Sequence, residues 1–444
     1  MGLATVMPAE GAQKDKRWVS PQSIEVMLLS FIVLLAIVLR VAWGLYSEAR
    51  PARDMDTFWY DSVAQELANG HEVANPEDGA PTAFWPPGYP LVLAGVYKLA
   101  GHGVHQGQTL NAVVGALTVL ATYGIGRIAL GRSPALLGAA ILAVFPSQVI
   151  YSSLMMSDVL FTFFFVVAIG VVVLYQARPD RPKVLVLVAG LACGAAALVR
   201  GEGMGLPLVL GAWIAIAART NWRQAIGSIL LLLVGSVLVV APWTVRNVVR
   251  LHAFVPVSTN AGWDAVIGHN EFADGGWMDP GNYFLRYAQL PDPQKEVEVY
   301  KAGLRMASSY ARTHIGDEAR LTVRKVKNLW MGDADAIGYQ EMGQQKPFLS
   351  QGQRFWLTEL TNDFYFVILL WAIPGLVLMS RRHGVWLSMV VLLAVYWTGF
   401  HVLTFGENRF HYPLAPILSL TAAAGIIGVV SRFDKAGKRR TRDG

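Results

Sequence analysis

Two aspartates, Asp54 and Asp56, lie two residues apart in the stretch RDMDTFWYDSVAQELANG, which covers residues 53–70. A D-x-D pair can hold a divalent cation against phosphates, and a single aspartate can act as a general base. Residues two apart on a helix point about 200° away from each other, so the pair converges only in an extended segment. The structural alternative is that acidic residues stabilise the positive N-terminal end of a helix.

The residues that follow predict a helix that positions Asp56. Apolar residues recur every fourth position from Met55 to Leu67, a spacing typical of an amphipathic helix that lies on a membrane surface. The neighbouring row contains Asp56 and Tyr60 and lies at the boundary between lipid and water. We therefore expect the Asp56 carboxylate to face a cavity under this helix.

The composition predicts an all-α membrane protein with several spans. Of the 444 residues, 54% are hydrophobic and only 15% are charged, and the mean hydropathy is +0.40, which is too apolar for a soluble globular protein. The first apolar run is longer than a signal-peptide core and lacks a convincing cleavage site, which predicts a retained span. The single cysteine, Cys193, excludes a disulfide framework and a cysteine metal site.

Apolar runs of about twenty residues predict ten membrane helices. They cover residues 24–46, 108–129, 134–152, 155–177, 183–199, 203–218, 225–243, 362–380, 384–405 and 411–431. The segment at 86–101 is short for a hydrocarbon core of about 30 Å and begins with two prolines. We expect it to lie on the outer membrane surface without crossing.

Positive charge supports this topology. If residues 86–101 do not cross, the basic loops near Arg127, Arg178, Arg219 and Arg381 lie on the same side as both basic termini. Cytoplasmic loops are rich in lysine and arginine, so both termini are predicted to be cytoplasmic. The net charge of +6 follows from these loops, so it indicates membrane topology and not nucleic-acid binding.

The topology divides the chain into five parts, without an internal repeat or a glycine-rich nucleotide loop. They are a cytoplasmic tail at 1–22, an N-terminal transmembrane module at 23–245 with the first outer loop at 47–107, an outer region of loops and surface helices at 246–361, C-terminal transmembrane helices at 362–431 and a basic cytoplasmic tail at 432–444.

Several polar residues then collect on the outer face. Asp158 begins an apolar run, where it is either a helix N-cap or a carboxylate that needs a charged partner. Outer loops are usually poor in positive charge, yet three arginines lie there: Arg200, Arg246 and Arg409. Guanidinium is suited to binding phosphate oxygens. Each arginine alone can instead be a structural residue whose charged end reaches the membrane interface. The other candidates for substrate contact are Asp54, Tyr60, Trp85, Tyr89, Glu202, Asn247, His269, Asn270 and Glu407.

The order of several motifs over residues 24–430 resembles that of the C-type (GT-C) membrane glycosyltransferases. The groups most similar are the lipid A aminoarabinose transferases and the protein O-mannosyltransferases. The motifs are DMDTFWYDSVAQELANG, PTAFWPPGYPLVLAGVY, MMSDVLFTFF, LVRGEG, APWTVRNVVRLHAFVPVST and ENRFHYPLAP. The resemblance implies a GT-C fold with about ten membrane helices, in the inner membrane of a bacterium.

The resemblance also implies a reaction. Asp56, four residues before Tyr60, corresponds to the catalytic base. Asp158 corresponds to a second aspartate that opens a span, and we expect it to be a second catalytic residue that orients the acceptor or assists Asp56. The implied partners are a polyprenyl-phosphate-linked sugar and an acceptor glycan, lipid or protein outside the cytoplasm, with no nucleic acid. The sequence predicts no certain cofactor; the two aspartates could bind a divalent cation, and this stays an open prediction.

The chain departs from the aminoarabinose transferases at two positions, Thr57 and Trp85, where those enzymes have an acidic residue and a lysine that contacts lipid phosphate. Phosphate binding would then depend on the arginines. Two alternatives stay open: a polysaccharide polymerase or ligase with a lipid-diphosphate donor, and a lipid flippase or transporter. A transporter is typically built from internal repeats with ionisable residues at mid-span.

Overall fold

The structure of the chain is a computed structural model, and it describes six segments. They are residues 20–47, 50–53, 55–218, 222–342, 347–382 and 384–440. Asp54, one of the predicted substrate-binding residues, lies outside the described residues.

The described residues form α-helices joined by 3₁₀ turns and loops, and no β-strand occurs among them. The helices are α1 Pro21–Ser47, α2 Asp56–Ala68, α3 Gly88–Ala100, α4 Val104–Ala129, α5 Arg132–Ala143, α6 Pro146–Ile150, α7 Asp158–Ala177, α8 Lys183–Val199, α9 Leu206–Ala218, α10 Trp222–Leu251, α11 Asn260–Gly268, α12 Gln294–Thr313, α13 Ile315–Trp330, α14 Asp335–Glu341, α15 Gln351–Arg382, α16 Gly384–Val402 and α17 Ala415–Arg440. The 3₁₀ turns are Tyr151–Ser153, Gly201–Gly205, Gly281–Tyr287 and Asn408–Leu414.

The chain is a multi-pass membrane protein by the length and composition of its helices. Within the described segments, seven helices are long and apolar enough to cross a membrane, and the bent pair formed by α5 with residues 146–153 raises this number to eight. The apolar helix α8 and residues 201–217 are shorter. The all-α membrane class is therefore confirmed, whereas the number of ten crossings stays a prediction.

Helices α1 and α4 are antiparallel, which bears on the predicted surface helix. Near the start of α1, Glu25 Oε1 accepts a hydrogen bond of 2.8 Å from Nε of Arg127, which lies near the end of α4. Near the end of α1, Gly44 lies against the side chain of Gln108 at the start of α4. The segment that joins α1 to α4 therefore starts and finishes on the same side of the helix bundle. This is the arrangement expected if α3, which lies in that segment, does not cross the membrane.

Close backbone contact holds α8 against α10, and Arg200 directly follows α8. A Cβ atom at Gly190 would lie 2.4 Å from the carbonyl oxygen of Leu232, and one at Gly235 would lie 2.6 Å from that of Leu187. Small residues allow membrane helices to approach in this way. Helix α7 packs on α4 and α8, so the start of α7 and the end of α8 lie side by side.

A half-buried carboxylate connects the outer region to the first outer loop. Glu296 of α12 accepts hydrogen bonds from the backbone N–H of Ala83 at 2.9 Å and from the hydroxyls of Thr82 and Thr259 at 2.6 and 2.7 Å. Burial raises the pKa of Glu296, although these donors favour its ionised form. The three bonds fix the start of α11 against the loop that follows α2 and precedes α3.

Candidate active site

Asp56 is the first residue of α2, where an acidic side chain is stabilised by the positive end of the helix dipole. Its side chain is 24% exposed, and its Oδ2 lies 3.5 Å from Nη2 of Arg409. This contact is long for a charge-assisted hydrogen bond, which is usually shorter than 3 Å. The Asp56 carboxylate is therefore accessible and only loosely held.

Asp158 is the first residue of α7 and is in a different situation. Its side chain is 1% exposed, and its Oδ1 accepts a hydrogen bond of 2.9 Å from Nη1 of Arg200. Arg200 also donates to Oε1 of Glu202 through Nη2 at 2.8 Å and Nε at 3.2 Å. We call Arg200, Asp158 and Glu202 the Arg200 cluster; its guanidinium is engaged by two carboxylates.

Arg409 forms a second, looser group with Asp56 and Glu407, which we call the Arg409 cluster. Nε of Arg409 lies 3.5 Å from Oε2 of Glu407, and its side chain is 11% exposed. The guanidinium carbon lies 4.9 Å from the ring centre of Tyr339, and the Tyr339 hydroxyl donates to Oε2 of Glu407 at 3.0 Å. The contacts to both carboxylates of this cluster are longer than those in the Arg200 cluster.

The ring of Phe410 joins the two clusters into one site. Its centre lies 5.7 Å from the guanidinium carbon of Arg200 and 5.3 Å from that of Arg409. Cation–π attraction at such distances favours both cations around one ring. Four predicted residues, Asp56, Asp158 and the two arginines, are thus brought together although they are far apart in sequence.

Predicted aromatic residues form the wall beside Asp56. Tyr60 is buried one turn after Asp56, and its hydroxyl donates to the hydroxyl oxygen of Ser157 at 3.3 Å. Its ring centre lies 6.1 Å from that of Trp85 and 5.3 Å from that of Tyr89. Burial, with a smaller contribution from the Asp56 charge, raises the pKa of Tyr60, so its hydroxyl stays protonated.

Arg246 and Asn247 bind backbone instead. Arg246 donates from Nη1 to the carbonyl oxygen of Thr82 at 2.8 Å and from Nη2 to that of Val73. Buried Asn247 donates to the carbonyl oxygen of Val255 at 3.0 Å. Both side chains therefore stabilise the first outer loop and the chain after α10, and contact between them and a substrate stays a prediction.

His269 and Asn270 belong to another hydrogen-bonded group. Nδ1 of His269 lies 2.9 Å from the Glu318 carboxylate, and its Nε2 lies 3.1 Å from the buried amino group of Lys325. Asn270 donates to the carbonyl oxygen of Val266 at 2.8 Å. The structure thus explains both polar residues by contacts between α11, α13 and the following loop, and a role in sugar binding stays a prediction.

Three site residues were not predicted from the sequence. Tyr339 of α14 contacts Arg409 and Glu407 as described above, and Asp335 of the same helix accepts a hydrogen bond of 3.2 Å from the backbone N–H of Arg409. Asp264 of α11 is the third. Burial, together with the carboxylates of Glu202 and Asp56, raises the pKa of Asp264 to about 8. The sequence pattern that could have indicated Asp335 is the acidic pair at 333 and 335, which directly follows the amphipathic helix α13.

A cavity of about 600 Å³ lies beside the Arg409 cluster. Tyr339, Glu407 and Asp335 form part of its wall, and Arg354 and Thr358 of α15 also line a second cavity of about 490 Å³. A volume of this size suits a small ligand, because binding pockets usually measure about 300 to 1,000 Å³. Arg409 thus contacts both Asp56 and Glu407, and Glu407 is part of the cavity wall.

The acidic residues do not form a compact metal-binding set within the described segments, where no group of three or more His, Cys, Asp or Glu side chains is placed to hold an ion. The D-x-D pair is only half described, because Asp54 lies outside those segments. The divalent cation therefore stays an open prediction.

Comparisons with known proteins agree on the architecture. A family model described as dolichyl-phosphate-mannose-protein mannosyltransferase matches residues 85–245. The apo crystal structure of the Archaeoglobus fulgidus oligosaccharyltransferase superimposes with a TM-score of 0.56 at 16% identity, over 98% of this chain and 52% of that chain. The chain has the GT-C fold.

Two further structures resemble this GT-C chain. The same archaeal enzyme in complex with an inhibitory peptide and a dolichol-phosphate has a TM-score of 0.51 at 13% identity, over 95% of this chain and 52% of that chain. ArnT from Cupriavidus metallidurans bound to undecaprenyl phosphate has a TM-score of 0.46 at 15% identity, over 92% of this chain and 78% of that chain. No curated protein sequence matches the chain. The chain spans about half the length of the archaeal oligosaccharyltransferase.

Proposed function

We propose that the chain is an inverting glycosyltransferase of a bacterial inner membrane, with its active site on the outer face and both termini in the cytoplasm. It transfers a sugar from a polyprenyl phosphate to a hydroxyl or phosphate of a lipid, glycan or protein acceptor. The observation that carries this proposal is the accessible carboxylate of Asp56, loosely held beside the guanidinium of Arg409.

A lipid-linked donor follows from the proposed location. Nucleotide sugars are cytoplasmic, so a sugar used on the outer face has to arrive on a membrane carrier. The match to the mannosyltransferase family model supports a polyprenyl-phosphate donor, and so does the dolichol-phosphate in the complex of the archaeal enzyme. The cavity beside Glu407 and Tyr339 is the proposed site for the sugar phosphate.

The proposed reaction is a single displacement. Asp56 takes the proton of the acceptor hydroxyl while that oxygen forms a bond to the anomeric carbon. The bond from this carbon to the phosphate oxygen breaks on the opposite face, and its electron pair stays on the phosphate. The configuration at the anomeric carbon is therefore inverted.

Among the predicted arginines, Arg409 is the best candidate for stabilising the leaving phosphate. Arg246 is bound to two carbonyl oxygens, and Arg200 to two carboxylates at 2.8 to 2.9 Å. The carboxylate contacts of Arg409 are 3.5 Å long, and its buried Nε has no hydrogen bond among the described residues. Its N–H groups can therefore turn to an incoming phosphate at small cost.

Asp158 is proposed as a positioning residue. It holds Arg200, and the Arg200 guanidinium packs on the same Phe410 ring as Arg409. A buried carboxylate with a guanidinium partner fixes geometry and does not depend on contact with the substrate. Asp158 thus fixes Arg200, whose guanidinium contacts the same ring as the proposed phosphate-binding arginine.

A transfer assay with purified protein tests the proposed function. The chain reconstituted in vesicles should convert a radiolabelled polyprenyl-phosphate sugar into a glycoside whose anomeric configuration, measured by NMR, is opposite to that of the donor. A retained configuration would contradict the single displacement. Transfer only from a lipid diphosphate would favour a polymerase or ligase, and lipid movement without a new glycosidic bond would favour a transporter.

A further inference from the structure

His411 is a buried residue two positions after Arg409, in the turn Asn408–Leu414. Its side chain is 2% exposed, and both of its ring nitrogens lie against oxygen atoms. Nδ1 lies 2.7 Å from the carbonyl oxygen of Leu329, in the last turn of α13. Nε2 lies 3.1 Å from Oδ1 of Asp333, whose side chain is equally buried. The proposed displacement uses neither His411 nor Asp333.

The chemistry of these partners shows how the ring is held. A carbonyl oxygen only accepts hydrogen bonds, so Nδ1 of His411 donates to Leu329, whose carbonyl has no partner within α13 itself. The contact with Asp333 needs one further proton, which lies either on Nε2 or on the carboxyl. In both arrangements each ring nitrogen has a partner. Displacing the ring would therefore leave buried polar groups without hydrogen bonds, which is unfavourable.

Aromatic rings restrict the His411 ring further. The ring of Tyr365 in α15 stacks on it, with centres 4.4 Å apart and planes at 17°, and that of Trp330 lies 6.0 Å away at 8°. The Tyr365 hydroxyl donates to the carbonyl oxygen of Trp330 at 3.2 Å. The backbone N–H of Asp333 donates to Oδ1 of Asn362, also in α15, at 2.8 Å. The end of α13, the chain that follows it and α15 therefore hold His411 together.

The chain between α13 and α14 also contacts the start of the turn. Asp335 accepts a hydrogen bond from the backbone N–H of Arg409 at 3.2 Å and from Nδ2 of Asn408 at 3.3 Å. A Cβ atom at Gly332 would lie 2.7 Å from Nδ2 of Asn408, so the two segments are in close contact. The backbone of Arg409 is thus held at its own N–H group and, two residues later, by the side chain of His411.

We propose that His411 and Asp333 are positioning residues, which hold the backbone of this turn so that the Arg409 guanidinium faces the leaving phosphate. This inference rests on the proposed function. The carboxylate contacts of Arg409 are 3.5 Å long, so they fix its position only weakly and the backbone has to contribute. Donors stabilise a developing charge best when they are already in place as it forms. His411 and Asp333 are buried and do not line the cavity beside Glu407, so they act through Arg409.

A double-mutant comparison with Arg409 tests the proposal. His411→Ala should lower kcat about 10- to 100-fold, since a displacement of about 1 Å can cost a catalytic group about 100-fold in rate. The KM for the sugar donor should stay within about threefold of wild type. In an Arg409→Ala background, the same substitution should change kcat less than about threefold, because the group that it positions is already missing. Equal losses of kcat in the two backgrounds would overturn the proposal.

A conservative variant keeps the test decisive if His411→Ala does not fold. Asp333→Asn keeps the shape of the side chain and can donate one hydrogen bond to Nε2 of His411. Its kcat should fall by about two- to tenfold, less than that of His411→Ala, and this loss should also disappear in the Arg409→Ala background. A rise of the sugar-donor KM without a loss of kcat, in either variant, would contradict a role through Arg409.

The control removes a carboxylate at the proposed cytoplasmic end of the bundle. Glu25 is 12% exposed and paired with Arg127 at 2.8 Å, and Glu25→Gln should keep kcat within about twofold of wild type. Thermal unfolding of each variant measures stability. If kcat of Glu25→Gln and of His411→Ala falls in step with the unfolding temperature, general destabilisation explains the loss and the proposal is wrong. A wild-type chain without transfer activity would contradict the proposed function itself, whereas an active wild type with additive losses contradicts only this inference.

Discussion

Replacing Asp56 by asparagine is expected to lower kcat by about 10² to 10⁴, because the amide cannot accept the proton of the acceptor hydroxyl. Asparagine keeps the size and shape of the side chain, so the fold should be retained. The contact with Arg409 is 3.5 Å long, which is long for an ion pair, so its loss should change stability little. Single-turnover transfer from a radiolabelled polyprenyl-phosphate sugar measures the chemical step directly.

The matched control lies on the same helix. Glu66→Gln changes a carboxylate that is 54% exposed and paired with His71 at the surface, and it should leave kcat within about twofold. Donor KM should also be similar in Asp56→Asn and in the wild type. Transfer by Asp56→Asn at more than a third of the wild-type rate, with unchanged unfolding temperature, would refute the assignment of the base.

Replacing Arg409 by alanine is expected to lower kcat by about 10² to 10³. Removing one preorganised donor to a charge that develops in the transition state costs about 2.7 to 4 kcal/mol. The negative charge on the leaving phosphate grows during the displacement, so the loss should be larger in kcat than in donor KM. Steady-state kinetics with the donor as varied substrate separates the two effects.

Two further variants sharpen this test. Arg409→Lys keeps the charge but loses the planar set of donors, so its rate should lie between those of wild type and Arg409→Ala. Arg320→Ala, on the exposed face of α13 with a side chain 79% exposed, should retain wild-type kinetics. If Arg409→Ala changes kcat less than threefold, another group stabilises the phosphate.

Patterns that depend on local sequence were predictable. The period of the apolar residues identified α2 as the helix that carries Asp56 and Tyr60, and the charge of the loops indicated that α3 does not cross. The starts of α2 and α7 were also predictable, since an aspartate followed by a regular apolar pattern marks a helix N-terminus. A helix N-terminus was only the structural alternative for these aspartates. Asp56 was selected for its place at the boundary between lipid and water and for the family resemblance, and Asp158 as a carboxylate that needs a charged partner; the structure brings both close to arginines.

Partners that are distant in sequence were not predictable. Asp56 and Arg409 are separated by 353 positions, and no local pattern relates them. Three arginines looked equivalent because each follows or precedes an apolar run, but the carbonyl oxygens that bind Arg246 are set by the tertiary structure. Tyr339 was missed for the same reason, because its contacts with Arg409 and Glu407 exist only once α14 packs beside the turn at Asn408–Leu414.

The central claim, that Asp56 acts outside the cytoplasm, is tested most directly by labelling single cysteines. In a Cys193→Ser background, Glu77→Cys lies in the first outer loop, and Asp180→Cys lies between α7 and α8. An impermeant maleimide added to intact spheroplasts should label position 77 and reach position 180 only after the membrane is permeabilised. Labelling of position 180 from outside, with position 77 protected, would place Asp56 in the cytoplasm and contradict the account.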